Sequence, residues 1–117
     1  MKTIVLVEDD EAIRDSFTLI VEKDKFTLLM FPDAEPIFNI KVENPDLFIL
    51  DKNISGTNGL DLCRFIKTNE TYRHVPVIML SASPDIEESA KSVNADDAIA
   101  KPFRVKAIRE IIAKYID

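Results

Sequence analysis

Three acidic residues in this sequence stand directly after short apolar runs, where a carboxylate could do chemistry as well as solvate a surface. Glu8 and Asp9 follow the run TIVLV, and Asp51 follows the run LFIL. If these ends meet, two carboxylates about 5 Å apart repel by about 3 kcal/mol at an effective dielectric constant of 20. Such a cluster is unfavourable without a cation, and hard oxygen ligands with room for water suit Mg²⁺.

A hydroxyl and an ammonium group occupy equivalent places later in the chain. Ser81 follows the run VIML, and Lys101 follows the weaker run DAIA. Taken singly, each residue has an ordinary interpretation, because acids cap helices and lysines are mostly solvated surface charges. Together they suit a carboxylate, Asp51, that attacks a phosphoryl group. A metal would offset the repulsion between the two anions, and Lys101 and Ser81 would hold the phosphoryl oxygens.

Five short apolar runs must position these residues, and helical patterns separate them. The runs TIVLV, FTLLMF, LFIL, VIML and DAIA are bounded by acids, Pro, Ser or Lys, which favours strands over helices. Apolar residues at helical spacing follow each run. We expect Asp33 to cap the second helix, Asn58 the third, and Ser83 a short fourth helix that ends near Val93.

The alternating order of strands and helices predicts an α/β fold. It is expected to be a doubly wound, five-stranded parallel sheet with five helices, forming one domain over residues 1–117 with no output domain in this chain. In such sheets ligands bind beyond the carboxyl ends of the strands, where the candidate residues lie.

Composition excludes several classes of function. The net charge of −6 and a chain without a basic run argue against direct nucleic-acid binding by this domain. The single cysteine, Cys63, excludes an internal disulfide and fits a reducing compartment. No run approaches the roughly 20 apolar residues of a membrane span. We expect a cytoplasmic protein that does not bind a membrane.

Four motifs together resemble the receiver domain of bacterial two-component response regulators. They are VLVEDDE, LFILDKNISGTNGLDLC, VIMLSAS and ADDAIAKPF, which occur in the order typical of that family and span nearly the whole chain. The resemblance implies a flavodoxin-like sheet of strand order 2-1-3-4-5. It also implies a Mg²⁺-dependent domain that accepts a phosphoryl group from a sensor histidine kinase or a phosphotransfer protein. The domain would then signal to an effector protein or an output domain, and would catalyse only its own phosphorylation and dephosphorylation.

The resemblance also implies a role for each site residue. Asp51 is the phosphoacceptor, and it contributes to the metal site. Asp9 is a direct metal ligand, Glu8 acts through water, and Asn53 offers its backbone carbonyl oxygen. Ser81 turns toward the phosphoryl group. Lys101 pairs with the phosphoryl group.

Other positions match the family or depart from it. Pro102 matches the family's proline with a cis peptide bond. Gly59 matches the family's glycine that closes the loop before the third helix. Ser55 stands where the family usually has proline, which bears on loop rigidity. Ala98 stands where an aromatic ring usually swings inward on phosphorylation, so we expect this chain to transmit its signal through the Ser81–Val93 segment.

Two further residues have ordinary interpretations. His74, the only histidine, is expected in a surface loop. Cys63 lies beside the inward face of the third helix and is expected to pack as a small apolar residue.

Three alternatives remain at the level of sequence. A haloacid-dehalogenase-type phosphatase would need an acid at Asn53, and a flavodoxin-like flavin carrier would need a first loop that does not repel a phosphate. A degenerate receiver could act as a scaffold for protein interactions without being phosphorylated.

Overall fold

The apolar runs form the strands of one parallel sheet. The structure, a computed structural model, describes all residues from 1 to 117. The five strands of this sheet are β1 (Lys2–Val7), β2 (Phe26–Phe31), β3 (Leu47–Asp51), β6 (Val77–Ser81) and β7 (Asp97–Ala100). Two short strands, β4 (Asn53–Ile54) and β5 (Thr57–Asn58), form a separate antiparallel hairpin.

The strand order of the sheet is β2-β1-β3-β6-β7, and every neighbouring pair is parallel. Without the hairpin strands this is the order 2-1-3-4-5, so the predicted doubly wound topology is confirmed. The chain runs outward from β1 in one direction and then crosses to β3. The switch point therefore lies between β1 and β3, next to Asp51.

Five helices cover the sheet, as predicted. They are α1 (Glu11–Ile20), α2 (Glu35–Phe38), α3 (Gly59–Thr68), α4 (Ile86–Ser92) and α5 (Val105–Ile116). None of them is both long and apolar enough to cross a membrane.

Of the three residues expected to cap helices, one is confirmed and the other two predictions are wrong. Asn58 caps α3, because its Oδ1 accepts a hydrogen bond from the Leu60 amide at 2.8 Å. Ala34 occupies the cap position of α2, although Asp33 accepts a hydrogen bond from the amide of Glu35 at 3.1 Å. Helix α4 begins at Ile86.

Ser83 does not cap α4, since it belongs to a turn before the helix. Its amide donates to Ser81 Oγ at 2.9 Å, and its carbonyl accepts a hydrogen bond from the Ile86 amide at 3.3 Å. Asp85 therefore takes the cap position, without a capping hydrogen bond from its side chain.

Alternate residues of each central strand face opposite sides of the sheet. In β1, Val5 and Val7 pack into a core with α3 and α4, whereas Ile4 and Leu6 pack into a second core with α1 and α5. A strand buried on both faces must be apolar throughout, which explains why LFIL and VIML are uninterrupted. The polar residues that end these strands are thereby held on rigid backbone.

Candidate functional site

The carboxyl ends of four neighbouring strands place the candidate residues along one edge of the sheet. Asp51 is the last residue of β3, and Ser81 is the last residue of β6. Glu8 and Asp9 directly follow β1, and Lys101 directly follows β7. The backbone keeps this edge in register, because the Lys101 amide donates to the carbonyl oxygen of Ser81 at 2.9 Å.

Lys101 joins two of the carboxylates. Its Nζ lies 2.9 Å from Glu8 Oε1 and 2.8 Å from Asp51 Oδ1. Glu8 is fully buried and Asp51 almost so, whereas the lysine side chain remains partly exposed. Ion pairs this short and this sheltered are stronger than those on a protein surface.

Burial and charge shift the pKa values of two of these groups. Burial raises the pKa of Glu8, and the neighbouring charge of Asp51 raises it further against the opposing effect of Lys101. Burial alone would lower the pKa of Lys101, but its hydrogen bonds to Asp51 and Glu8 outweigh burial and raise it. The ammonium group is therefore firmly charged, and it compensates only part of the negative charge at this edge.

The carboxylates of Glu8, Asp9 and Asp51 could share a cation. Each offers an oxygen, and these oxygens all lie within 4.8 Å of one another. Lys101 binds only one oxygen of Asp51, and the Asp9 side chain, which is exposed, accepts no hydrogen bond from the protein. Free carboxylate oxygens beside solvent form a donor set that fits Mg²⁺, which prefers few protein ligands and several waters.

Ser81 is in the expected place but its hydroxyl faces its own loop. The side chain is buried, and Oγ accepts a hydrogen bond from the Ser83 amide at 2.9 Å. The structure thus brings Glu8, Asp9, Asp51 and Lys101 together, with Ser81 beside them at the end of the adjacent strand.

Gly59 lies against the backbone of the candidate nucleophile. A Cβ atom at this position would lie 2.0 Å from the carbonyl oxygen of Asp51 and 2.8 Å from Cα of Lys52. The Gly59 amide also donates to the Lys52 carbonyl at 2.7 Å. The start of α3 therefore fixes the backbone at Asp51, and only glycine allows the close approach.

The remaining loop residues lie around this centre. The hairpin begins at Asn53, whose side chain is exposed, and turns through Ser55 and Gly56, where φ is +75°. The peptide bond between Lys101 and Pro102 is cis, as the motif predicts.

Comparison with known proteins identifies the family. The sequence matches the response regulator receiver domain family over residues 4–113. The chain belongs to this family.

Individual relatives agree with this assignment. The receiver domain is 34% identical to the transcriptional regulatory protein CseB of Streptomyces coelicolor, over 96% of this chain and 50% of that protein. It therefore spans about half the length of the curated relatives it matches. A putative response regulator from Chloroflexus aurantiacus shares the fold with a TM-score of 0.88 and 23% identity, over 97% of this chain and 96% of that one.

A third relative was solved with a metal. The receiver domain of the sensor histidine kinase PA1611 from Pseudomonas aeruginosa holds a magnesium ion coordinated in its active-site cleft. It shares the fold with a TM-score of 0.85 at 23% identity, over 98% of this chain and 97% of that chain. These matches favour neither the phosphatase nor the flavin carrier.

Two residues of this receiver domain that the sequence did not single out form an ion pair beside the site. Lys52 directly follows Asp51, and its Nζ lies 3.8 Å from Oδ1 of Asp85, the residue before α4. The charge of Lys52 next to the candidate nucleophile was the only available signal, and the loop that brings Asp85 close to Lys52 could not be predicted.

Ala98 lies in β7, half-buried beside α4. A shallow cavity of about 140 Å³ lies alongside it, lined in part by Ala90, Lys91 and Asp97. No aromatic ring lies in β7, so the departure from the family pattern is present in three dimensions as well as in sequence.

The two residues with ordinary interpretations are where the sequence predicts. His74 is exposed in a turn before β6. Cys63 is fully buried and lies 3.7 Å from the carbonyl oxygen of Val93, and burial raises the pKa of its thiol to about 11. A thiol with so high a pKa is not a nucleophile at neutral pH.

Proposed function

We propose that this receiver domain accepts a phosphoryl group on Asp51 from a phosphohistidine and so switches the surface it presents to a partner. The observation that carries the proposal is the environment of Asp51. Its carboxylate lies at the end of a buried strand, with the Lys101 ammonium at 2.8 Å and oxygens of Glu8 and Asp9 within 4.8 Å. This arrangement supplies a fixed nucleophile, a fixed cation and a set of oxygens for a metal.

Phosphoryl transfer would form one bond and break another. A carboxylate oxygen of Asp51 attacks the phosphorus, the bond from phosphorus to the donor imidazole nitrogen breaks, and that nitrogen keeps the electron pair. Lys101 holds a phosphoryl oxygen as charge develops. Ser81, whose Oγ accepts a hydrogen bond from the Ser83 amide, turns so that its hydroxyl donates to a second phosphoryl oxygen.

Asp9 and Asp51 would hold Mg²⁺ through side-chain oxygens, Asn53 through its backbone carbonyl oxygen, and Glu8 through water. When bound, Mg²⁺ supplies positive charge that reduces the repulsion between the nucleophile and the phosphoryl group. The donor set of this chain supports this assignment, and so does the magnesium ion in the PA1611 receiver domain.

The partners follow from this chemistry. The donor would be a sensor histidine kinase or a phosphotransfer protein, which places the reaction in the cytoplasm. The recipient of the signal would be an effector protein or an output domain, since CseB is a transcriptional regulatory protein. Catalysis would be limited to the domain's own phosphorylation and dephosphorylation.

Intact mass spectrometry tests the proposal. After incubation with acetyl phosphate or phosphoramidate and Mg²⁺, we expect one phosphoryl group per chain, lost on treatment with hydroxylamine or alkali. Omission of Mg²⁺ or the substitution Asp51→Ala should abolish the adduct, whereas Asp61→Ala, which removes an exposed acid of α3, should not. Retained phosphorylation in Asp51→Ala would refute the assignment. A parent protein that takes up no phosphoryl group would instead favour the scaffold.

A further inference from the structure

Two side chains hold the loop that joins the site to α4. Ser81 Oγ accepts a hydrogen bond from the Ser83 amide at 2.9 Å, near the start of the loop. Lys52 Nζ lies 3.8 Å from Asp85 Oδ1, at its end. Both of the holding side chains are neighbours of Asp51, because Ser81 ends the adjacent strand and Lys52 is the next residue in the chain. A change at Asp51 can therefore reach both ends of the loop.

Packing directs the side chain of Lys52. It is 20% exposed, whereas the paired lysines Lys41 and Lys106 are 62% and 86% exposed. A lysine on an open surface would sample many rotamers and would lose them on pairing. Lys52 is already confined, so its pairing with Asp85 costs less conformational entropy than an ordinary surface pair.

Helix α4 packs on β6 and β7 through a short apolar face. It has seven residues, of which only Ile86 and Ala90 are buried. Across from it stands the small side chain of Ala98, with the shallow cavity alongside. Few buried apolar contacts make a segment easy to displace. With alanine at this position, β7 has no ring that could couple its movement to the site.

We propose that the ion pair between Lys52 and Asp85 ties α4 to the phosphoacceptor, and that phosphorylation of Asp51 releases it. This inference rests on the proposed function. Phosphorylation replaces the single negative charge of Asp51, the residue before Lys52, with a phosphoryl group that carries one and a half to two, a net gain of about one half to one charge. Asp85 is more than half exposed and only a single charge, so it competes poorly with that group for the ammonium. The same event draws Ser81 away from Ser83, so both ties on the loop are lost together.

The weakness of the pair suits this role. A ligand can shift a two-state element only by the difference in its interactions with the two states. A partly exposed ion pair changes an opening equilibrium by about two- to fivefold, which a new dianion can reverse.

Amide hydrogen exchange in α4 tests the proposal in the protein without phosphate. In Lys52→Gln and in Asp85→Asn, we expect the amides of Ser89 to Val93 to exchange about two to five times faster than in the parent. The double variant should be no faster than Asp85→Asn alone. The double variant must be compared with Asp85→Asn because a negative charge at the amino end of α4 stabilises the helix by itself. Removing the Asp85 charge therefore weakens α4 even where Lys52 plays no part. Lys41→Gln, which breaks the ion pair of Lys41 with Glu35 of α2, should leave α4 unchanged.

Beryllofluoride, a mimic of the phosphoryl group, tests the release. It should speed exchange in α4 of the parent to the level of Asp85→Asn, and should add little in that variant. Normal exchange in Lys52→Gln, or full additivity in the double variant, would overturn the ion pair as a tie. A parent that binds beryllofluoride with no change in α4 would overturn the release. Failure to bind it would count against the proposed function, while the variants without beryllofluoride would still decide whether the tie exists.

Discussion

Lys101 makes both of the short ion pairs at the site, so its removal should separate the proposed phosphate recognition from the proposed metal binding. In Lys101→Ala we expect the structural response to phosphorylation to fall more than the affinity for Mg²⁺, because an ammonium group binds phosphate but is not a metal ligand. Without metal, the free energy of unfolding should fall by about 3 kcal/mol, since Glu8 and Asp51 would stay buried after losing the ammonium group that pairs with both.

Denaturant unfolding in chelator measures the stability of Lys101→Ala, and calorimetric titration measures its metal affinity. Lys106→Ala, at an exposed pair on α5, is the matched control and should change neither. Equal losses of metal affinity and of the phosphorylation response would contradict the assigned role.

Asp9 is exposed whereas Glu8 is buried, so we expect substitution of Asp9 to affect metal binding more than the stability of the metal-free protein. Asp9→Asn should remove most of the rise in melting temperature that Mg²⁺ produces, because a ligand that binds only the folded state stabilises it. Without metal, the variant should be more stable than the parent by less than about 1 kcal/mol, since repulsion at an exposed carboxylate is screened. A variant that melts lower without metal and still responds fully to Mg²⁺ would show that Asp9 is structural.

For single residues, the sequence predicted where each side chain of the site lies but not which way it points. The ends of apolar runs located Glu8, Asp51 and Lys101, because parallel strands bring their carboxyl ends to one edge. The rotamer of Ser81 depends on the loop that supplies the Ser83 amide, and the partner of Lys52 depends on the same loop. Neither leaves a periodic signal in the sequence.

Among the elements, α3 is fixed to β3 by the contact at Gly59, and a matched pair of glycines tests it. Gly59→Ala should lower the free energy of unfolding by about 3 kcal/mol and reduce the rate of phosphorylation, because the new methyl group would overlap the Asp51 carbonyl. Gly56→Ala should cost about 1 kcal/mol, because φ there is +75° but nothing lies within 4 Å. Thermal unfolding and phosphorylation rates measure both. A Gly56→Ala variant that lost phosphorylation as fully as Gly59→Ala would contradict this account.

Helix α4 and strand β7 should respond unequally to phosphorylation. We expect amide shifts on binding beryllofluoride to concentrate in the Ser81–Val93 segment and to be small in β7, because Ala98 has no ring to move. Nuclear magnetic resonance with and without beryllofluoride measures this. Dominant shifts in β7 with a quiet α4 would show that the last strand carries the signal despite its alanine.

The strands were easier to predict than the boundaries of the helices. Buried strands need apolar residues on both faces, which leaves a strong pattern. Ser83 and Pro84 are typical of a helix start, but the hydrogen bond from the Ser83 amide to Ser81 holds them in a turn. The hairpin at Asn53 was not predicted either, since four paired residues are too few for a periodic signal.

Across the whole molecule, Asp97 links β7 to α5 and makes stability depend on pH. Its Oδ2 lies 3.0 Å from the Tyr115 hydroxyl and 3.3 Å from Lys114 Nζ. Burial would raise the pKa of Asp97, but hydrogen bonds from the Ala98 amide, Tyr115 and Lys114 outweigh burial and lower it. The unfolded chain therefore binds a proton more readily than the folded chain does at this group, so its contribution to stability is present above the unfolded pKa, which is about 3.9, and is lost as pH falls through the folded value.

We expect Asp97→Asn to lower the free energy of unfolding by about 1 kcal/mol at pH 7, with the difference from the parent shrinking toward zero below about pH 3. Denaturant unfolding from about pH 2 to pH 7 measures it. Asp61→Asn, at an exposed pair with Arg64, is the control and should show a much smaller effect. A difference that does not change with pH would mean that shape rather than charge matters at Asp97.

The pairing of Lys101 with Glu8 has a consequence for the order of events in folding, since the two residues are 93 positions apart in the chain. During synthesis the first acidic residues emerge long before the lysine that neutralises them, because β7 is the last strand to be made. The proposed metal ligands follow β1 and β3, which are direct neighbours in the sheet, so they can meet before Lys101 is in place. If β1 and β3 pair in the transition state for folding, Mg²⁺ would speed folding by offsetting the repulsion that Lys101 does not yet relieve. The metal would then stand in for the missing ammonium group while the sheet assembles.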